Sequence, residues 1–381
     1  MSTPTDIPLP RPATTIKGAV DALRAGRLVI IPTETYYGIA ANAANSAAVA
    51  LLRDLITVNI GTPREPSPHT WHAPDFSRVY RTLGDIPALL ARAGQRLTPG
   101  PVRLTFSLSP EHSREVHTKL GVPAGVLERD GVWTLRIPSD PSARDVLAAC
   151  PFPIAVERIS SVGLGEGVRL PAHVMERAAS WGIGAVLNTG PTIYCNASTQ
   201  VVVESGSYRV THAGAVDARQ IAHAMTSAVL FVCTGNTCRS PMAAAIAADL
   251  LEKRGVLPTS VQSAGLAAGT GAPMTPEARQ ALTEMGVPVP AHRSKDVDVP
   301  MVKEAEHVFA MTRSHQRALQ ASLSPDQASK VLLLDPNGKD IADPIGGPLS
   351  EYRSTAQAIS EAVLARLLHA GLLAEQPIVQ R

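Results

Sequence analysis

Residues 228–254 read AVLFVCTGNTCRSPMAAAIAADLLEKR, and Gly255 follows. Five apolar, largely β-prone residues end at Cys233, and an alanine- and leucine-rich run without a breaker starts at Pro241. That is a strand, a tight polar turn and a helix predicted over Pro241–Arg254 and stopped by Gly255. Downstream the same grammar repeats: SVQSAG, PEARQALTEMG, HVFAM, TRSHQRALQASL, KVLLL, and a closing helix from about Ser350 to His369. Strict alternation of strand and helix predicts a parallel, four-stranded, doubly wound α/β sheet.

In such a sheet, ligands bind beyond the carboxyl ends of the strands, and a loop entering a helix aims backbone N–H groups and the helix dipole at one point. An anion belongs there. Cys233 starts that loop, near the partial positive charge and near Arg239, which stabilises a thiolate. Arg239 offers a planar fork for two phosphoryl oxygens, Ser240 can donate to the sulfur, and Gly235 and Asn236 tolerate the left-handed backbone of a tight cradle. Thr234, Gly235, Asn236, Thr237, Cys238 and Ser240 are therefore the candidate substrate-binding residues. Zinc does not fit Cys233 and Cys238, because this half has no second cysteine pair and the adjacent Arg239 would repel the cation. A thiolate expelling a poor leaving group needs an acid. Asp343, in Asp343-Pro344-Ile345-Gly346-Gly347, is the candidate; Asp335, which ends a strand, suits a turn cap instead.

With VLFVCTGNTCRSPMAAAI, SAGLAAGTGAPMTPEARQAL, AHRSK, VFAMTRSH and DPIGGPLSEYRST in this order, residues 228–370 resemble the low-molecular-weight protein-tyrosine phosphatase family. The resemblance implies a phosphocysteine intermediate on Cys233, a phosphoryl grip by Arg239, Asp343 as general acid, a phosphorylated protein as substrate, and no metal or cofactor. CTGNTCRS is similar to the protein-arginine phosphatase subgroup, with Thr237 where tyrosine-directed members carry a larger aliphatic residue. Ile345 stands where an aromatic residue usually flanks the substrate. Both features point towards phosphoarginine, with phosphotyrosine as the other substrate. Arsenate reductases share the fold and loop but need further cysteines, and none follows Cys238.

The front half is different in texture. Short β-rich runs (RLVIIP, VRLTFSLS, VWTLRIP, TQVVVES) alternate with few helical stretches, and 56–75 is proline-rich and reads as helix-proof. Ile31-Pro32-Thr33-Glu34-Thr35-Tyr36-Tyr37-Gly38-Ile39, Pro99-Gly100-Pro101, LRIPSDP and Asn196-Ala197-Ser198-Thr199-Gln200 together resemble the threonylcarbamoyl-AMP synthase family (YrdC-like) over about 18–216. That implies a twisted mixed α/β sheet around an open cleft, with Thr33, Thr35, Ser198 and Thr199 as nucleotide-side hydroxyls and ATP or RNA as ligands. The alternative function follows: a tRNA-modifying synthase, alone or beside the phosphatase. The family's Lys-x-Arg falls at NIGTPREPS, its Ser-Ala-Asn segment at Glu157-Arg158-Ile159-Ser160-Ser161, and its late arginine at His212-Ala213-Gly214. Forming an acyl-adenylate needs cations, so the front half reads as degenerate unless Arg64, Arg103 and Arg158 reach the cleft.

The expected domains are 10–216 and 228–375, joined by a linker at 217–227. Composition limits the other classes. With 381 residues, 45% hydrophobic and a net charge of +2, the chain is long enough for two cores and has no global field for nucleic acid or membrane. No stretch approaches the roughly 20 apolar residues of a membrane span, MSTPTDIPLPRP lacks a signal pattern, and four cysteines at 150, 195, 233 and 238 suit a reducing compartment. A soluble, cytoplasmic protein is expected.

Overall fold

In the computed structural model, residues 12–60, 68–162, 169–170, 172–204 and 206–374 are described. The chain divides into two compact units, Met1–Ala224 and Met225–Arg381. Residues 217–227, read as a linker, contain a helix, Ala218–Met225, and the next strand begins at Ser227.

Among the described residues the first unit carries ten strands: β1 (Leu28–Ile31), β2 (Gly38–Asn42), β3 (Thr70–His72), β4 (Val102–Ser107), β5 (Glu128–Arg129), β6 (Val132–Arg136), β7 (Ile154–Arg158), β8 (Ile183–Val186), β9 (Thr199–Val203) and β10 (Tyr208–His212). They form one mixed sheet in the order β10-β9-β4-β6-β3-β7-β2-β1-β8, with β5 paired to β6. β1 is buried along its whole length. Val29 and Ile31 pack with helices Ile16–Arg24 and Pro141–Ala149 on one face, while Leu28 and Ile30 pack with helix Ser46–Ile60 on the other. That helix corrects the reading of 56–75 as helix-proof: the first proline of the segment is Pro63, so nothing local stops the helix before Ile60.

The second unit is a sheet of four parallel strands, β11 (Ser227–Cys233), β12 (Thr259–Gly265), β13 (His307–Ala310) and β14 (Val331–Leu333), in the order β12-β11-β13-β14. Alternation along β11 serves both faces. Val229, Phe231 and Cys233 join the core with helices Arg239–Arg254, Pro276–Glu284 and Leu349–His369, while Leu230 and Val232 pack with Val302 and Leu319. Chain order reverses between β11 and β13, which puts the crevice at the carboxyl end of β11. Cys233 ends that strand.

Candidate active site

The Cys233 loop is held by groups outside its own motif. Asn236 is fully buried and has φ of 52°, so the left-handed residue is Asn236, and Gly235 lies outside the positive-φ region expected for both. Asn side chains tolerate this conformation through local hydrogen bonding, and here the side chain is fully used. Its Nδ2 donates to Ser240 Oγ and Ser263 Oγ, both at 2.9 Å, and its Oδ1 accepts from Lys295 N at 3.1 Å. His292 Nε2 donates to the Asn236 carbonyl at 2.7 Å. On the other side, the Cys233 and Thr234 carbonyls accept from Leu266 N and Ala267 N at 2.9 and 3.1 Å.

Two donors converge on the sulfur. Asn236 N lies 3.3 Å from Cys233 Sγ and Ser240 Oγ lies 3.0 Å from it. Ser240 has a single hydroxyl proton and also sits 3.2 Å from the Ala264 carbonyl, so it can turn to the sulfur when charge develops there. The helix that follows starts at Arg239, two residues earlier than Pro241, and no side chain caps it. Its first amides are thus free to face an anion.

Arg239 is 5% exposed; its guanidinium donates to the Ile341 carbonyl at 3.2 Å and to Asp343 Oδ2. Asp343 is presented by the turn Pro344–Gly347, closed by Gly347 N to Pro344 O at 3.0 Å with Gly346 at φ 78°. Ile345 at the tip is 63% exposed. Asp335 is occupied elsewhere: its Oδ1 accepts from Asn337 N at 2.6 Å. Cys238 is buried, with Thr275 Oγ1 at 3.5 Å and Tyr352 Oη at 3.8 Å from its sulfur. His315, without an assigned role in the sequence, bonds Thr234 Oγ1 through Nε2 at 2.8 Å.

In the first unit, Thr33, Thr35 and Ser198 come together: Thr35 Oγ1 lies 3.2 Å from Thr33 Oγ1 and 3.4 Å from Ser198 Oγ. Thr199 is committed elsewhere, its hydroxyl donating to Val216 O at 2.5 Å and accepting from Gly214 N and Val216 N at 3.0 Å. One arginine organises the cluster. Arg136 donates to Thr33 Oγ1, Glu34 Oε1 and Thr35 Oγ1 at 3.1, 3.0 and 2.7 Å.

Arg136 faces Arg103 across β4 and β6 and His72 across β6 and β3. Burial and the Arg136 charge hold His72 well below the ordinary histidine range, and burial lowers both arginines as well. Arg103, Arg136 and Arg158 line one open cleft with Thr33, Tyr36 and His72. The charge deficit expected from the sequence is therefore narrower: Arg103 and Arg158 do reach the cleft, Arg136 joins them, and Arg64 lies outside the described residues.

Residues 228–376 match the family model "Low molecular weight phosphotyrosine protein phosphatase", and residues 21–214 match "Telomere recombination", the Sua5/YciO/YrdC model. A protein-arginine-phosphatase of Geobacillus stearothermophilus is 39% identical over 143 residues, covering 36% of this chain and 92% of the relative. A putative threonylcarbamoyl-AMP synthase of Mycobacterium leprae is 30% identical over 210 residues, covering 55% of this chain and 87% of the relative. The chain belongs to both families, one in each half. Among solved structures, the YwlE arginine phosphatase from Geobacillus stearothermophilus aligns with a TM-score of 0.34 at 36% identity, covering 38% of this chain and 94% of that one. By its match at 228–376 and its protein-arginine-phosphatase relative, the second unit belongs to a family of cysteine-based phosphatases. No helix among the described residues is long and apolar enough to cross a membrane.

Proposed function

We propose that the chain is a protein phosphatase acting on phosphoarginine, carried by one observation: the sulfur of Cys233 accepts from Asn236 N and lies 3.0 Å from Ser240 Oγ at the open N-terminus of a helix whose first residue, Arg239, already grips a carboxylate. An incoming phosphoryl group replaces Asp343 on the Arg239 guanidinium. The Cys233 thiolate forms the S–P bond as the P–N or P–O bond breaks, and protonated Asp343 gives its proton to the leaving nitrogen or oxygen. Water then attacks the phosphocysteine, Asp343 takes the water proton, and phosphate leaves with the thiolate restored.

Substrate choice rests on the rim. Thr237 narrows the mouth with a branched hydroxyl, and Ile345 offers no ring to stack on a tyrosine. The relative from Geobacillus stearothermophilus is named a protein-arginine-phosphatase, which supports the same choice. A panel of phosphoarginine, phosphotyrosine and phosphoserine peptides decides it. Phosphoarginine turnover that vanishes in Cys233→Ser is the expected result, and exclusive phosphotyrosine turnover would refute the substrate class.

A second reading concerns the first unit. Two arginines directly opposed on neighbouring strands repel each other, and the Nε atoms of Arg103 and Arg136 are buried without a hydrogen-bond partner. An anion in the cleft relieves both costs. This supports binding of an anionic ligand such as ATP, or of RNA, in keeping with the front-half family. Pyrophosphate release by the full-length Cys233→Ser protein, tested for dependence on ATP, threonine and bicarbonate, separates a working synthase from a binding module. Binding of ATP without release is the expected result.

A further inference from the structure

The phosphate loop has two arms of unequal support. The inner arm, Asn236 to Ser240, is buried apart from half-buried Thr237 and is tied by the four Asn236 contacts to Ser240, Ser263, Lys295 and His292. The outer arm starts at Thr234, which is exposed. Its carbonyl is held by Ala267, and its hydroxyl meets His315.

We propose that His315 is a positioning residue for the phosphatase reaction, fixing the outer arm of the loop through the Thr234 hydroxyl. This rests on the reading of Cys233 as the nucleophile. His315 is only 5% exposed and is oriented at both nitrogens: Nε2 lies 2.8 Å from Thr234 Oγ1, and Nδ1 lies 2.7 Å from Thr312 Oγ1. Thr312 is itself the N-cap of helix Arg313–Ala321, its Oγ1 accepting from His315 N at 3.3 Å and lying 2.7 Å from Ser314 Oγ. The ring plane is therefore set by a helix cap, and it passes that rigidity to the residue next to the nucleophile. Loop amides must aim at the phosphoryl oxygens, so small drift in this arm is felt in the rate rather than in binding.

The charge setting suits the role. Arg239 from the adjoining helix and Asp340 and Asp343 from the loop after β14 all act on the ring, and burial followed by the Arg239 charge holds it below its ordinary range. The imidazole is neutral at neutral pH. Protonation would set a second cation against Arg239 and compete with it for Asp343.

The test is steady-state kinetics of the full chain on a small aryl phosphate, with thermal melts alongside. Thr234→Val, an exposed and nearly isosteric change, and His315→Ala are each expected to lower kcat by about tenfold or more with KM within about twofold. The double variant should be no slower than the worse single one, because both remove the same bond. His315→Gln, whose carboxamide N–H can reach Thr234, should recover most of kcat while altering the acid limb of the kcat–pH profile, since it cannot titrate. Wild-type kcat in Thr234→Val, additive losses in the double variant, or His315→Gln no better than His315→Ala would overturn the proposal. If Cys233→Ser still turns over, the phosphocysteine reading itself falls, and the positioning role with it; a dead Cys233→Ser beside wild-type rates in the other variants removes the positioning role alone.

Discussion

Gly265 is the most demanding residue of the phosphatase unit, although it lies outside the CTGNTCRS stretch. It pairs with Cys233 in the β11–β12 register, its N–H donates to Lys295 O at 3.0 Å, and its carbonyl accepts from Val297 at 2.8 Å. A Cβ placed there would lie 2.3 Å from Thr234 O, 2.9 Å from Ala268 Cβ and 3.1 Å from Asn236 N, where ordinary contact begins at 3.4 Å. The nearest obstacle is backbone, so no side chain can swing away. Gly265→Ala must push the Thr234 peptide by about 1 Å, and a shift of that size in a positioned loop costs roughly 100-fold in rate, about 2.7 kcal/mol of barrier. Overpacking of a tight site costs about 1–3 kcal/mol of stability as well. Gly235→Ala is the steric control: its Cβ would meet only Thr237 Oγ1, at 3.6 Å, and its φ is not positive. We expect Gly265→Ala to lower both kcat on an aryl phosphate and the melting midpoint, whereas Gly235→Ala keeps the midpoint. A Gly265→Ala protein with kcat within threefold of wild type would refute the claim that this backbone contact shapes the loop.

Asp343→Asn should slow phosphoarginine hydrolysis by about 10²–10⁴-fold and nitrophenyl phosphate hydrolysis far less, because only the basic leaving group needs the proton; Asp335→Asn, whose Oδ1 still accepts from Asn337 N, should leave that contrast untouched. Thr237→Ile should lower the ratio of phosphoarginine to phosphotyrosine kcat/KM by about tenfold, as one added hydrocarbon branch in a narrow mouth can. In the Cys233→Ser background at pH 8, iodoacetamide followed by peptide mapping should label exposed Cys195 and spare Cys150, which is fully buried and whose thiol burial pushes up to about 11.

Local patterns carried the phosphatase unit a long way. The apolar run into Cys233, the uninterrupted helix after it and the repeating strand–helix alternation are all written in adjacent residues, so strand, loop and sheet type could be read directly. What escaped depends on distant pairings. His315 lies 81 residues beyond Thr234, and only the β13–helix turn brings them together. Gly265 was visible as part of SAG, but its necessity comes from the register that sets it beside Cys233. In the first unit, Arg103, Arg136 and His72 sit on separate strands, and nothing in their flanking residues announces that β4, β6 and β3 are neighbours. The left-handed position fell on Asn236 because its amide, unlike a glycine, is bonded on three sides.

The buried contacts of Asn236 and the exposure of Ile345 have a consequence for how such a protein can change over generations. Asn236, Ser240, Ser263 and Gly265 form a scaffold in which a change at one strands the others' hydrogen bonds or space. Thr237 is half-buried and Ile345 exposed, and both stand outside that scaffold. Mutational drift is thus channelled: the reaction is inherited intact, while the class of phosphorylated residue admitted can be revised one side chain at a time.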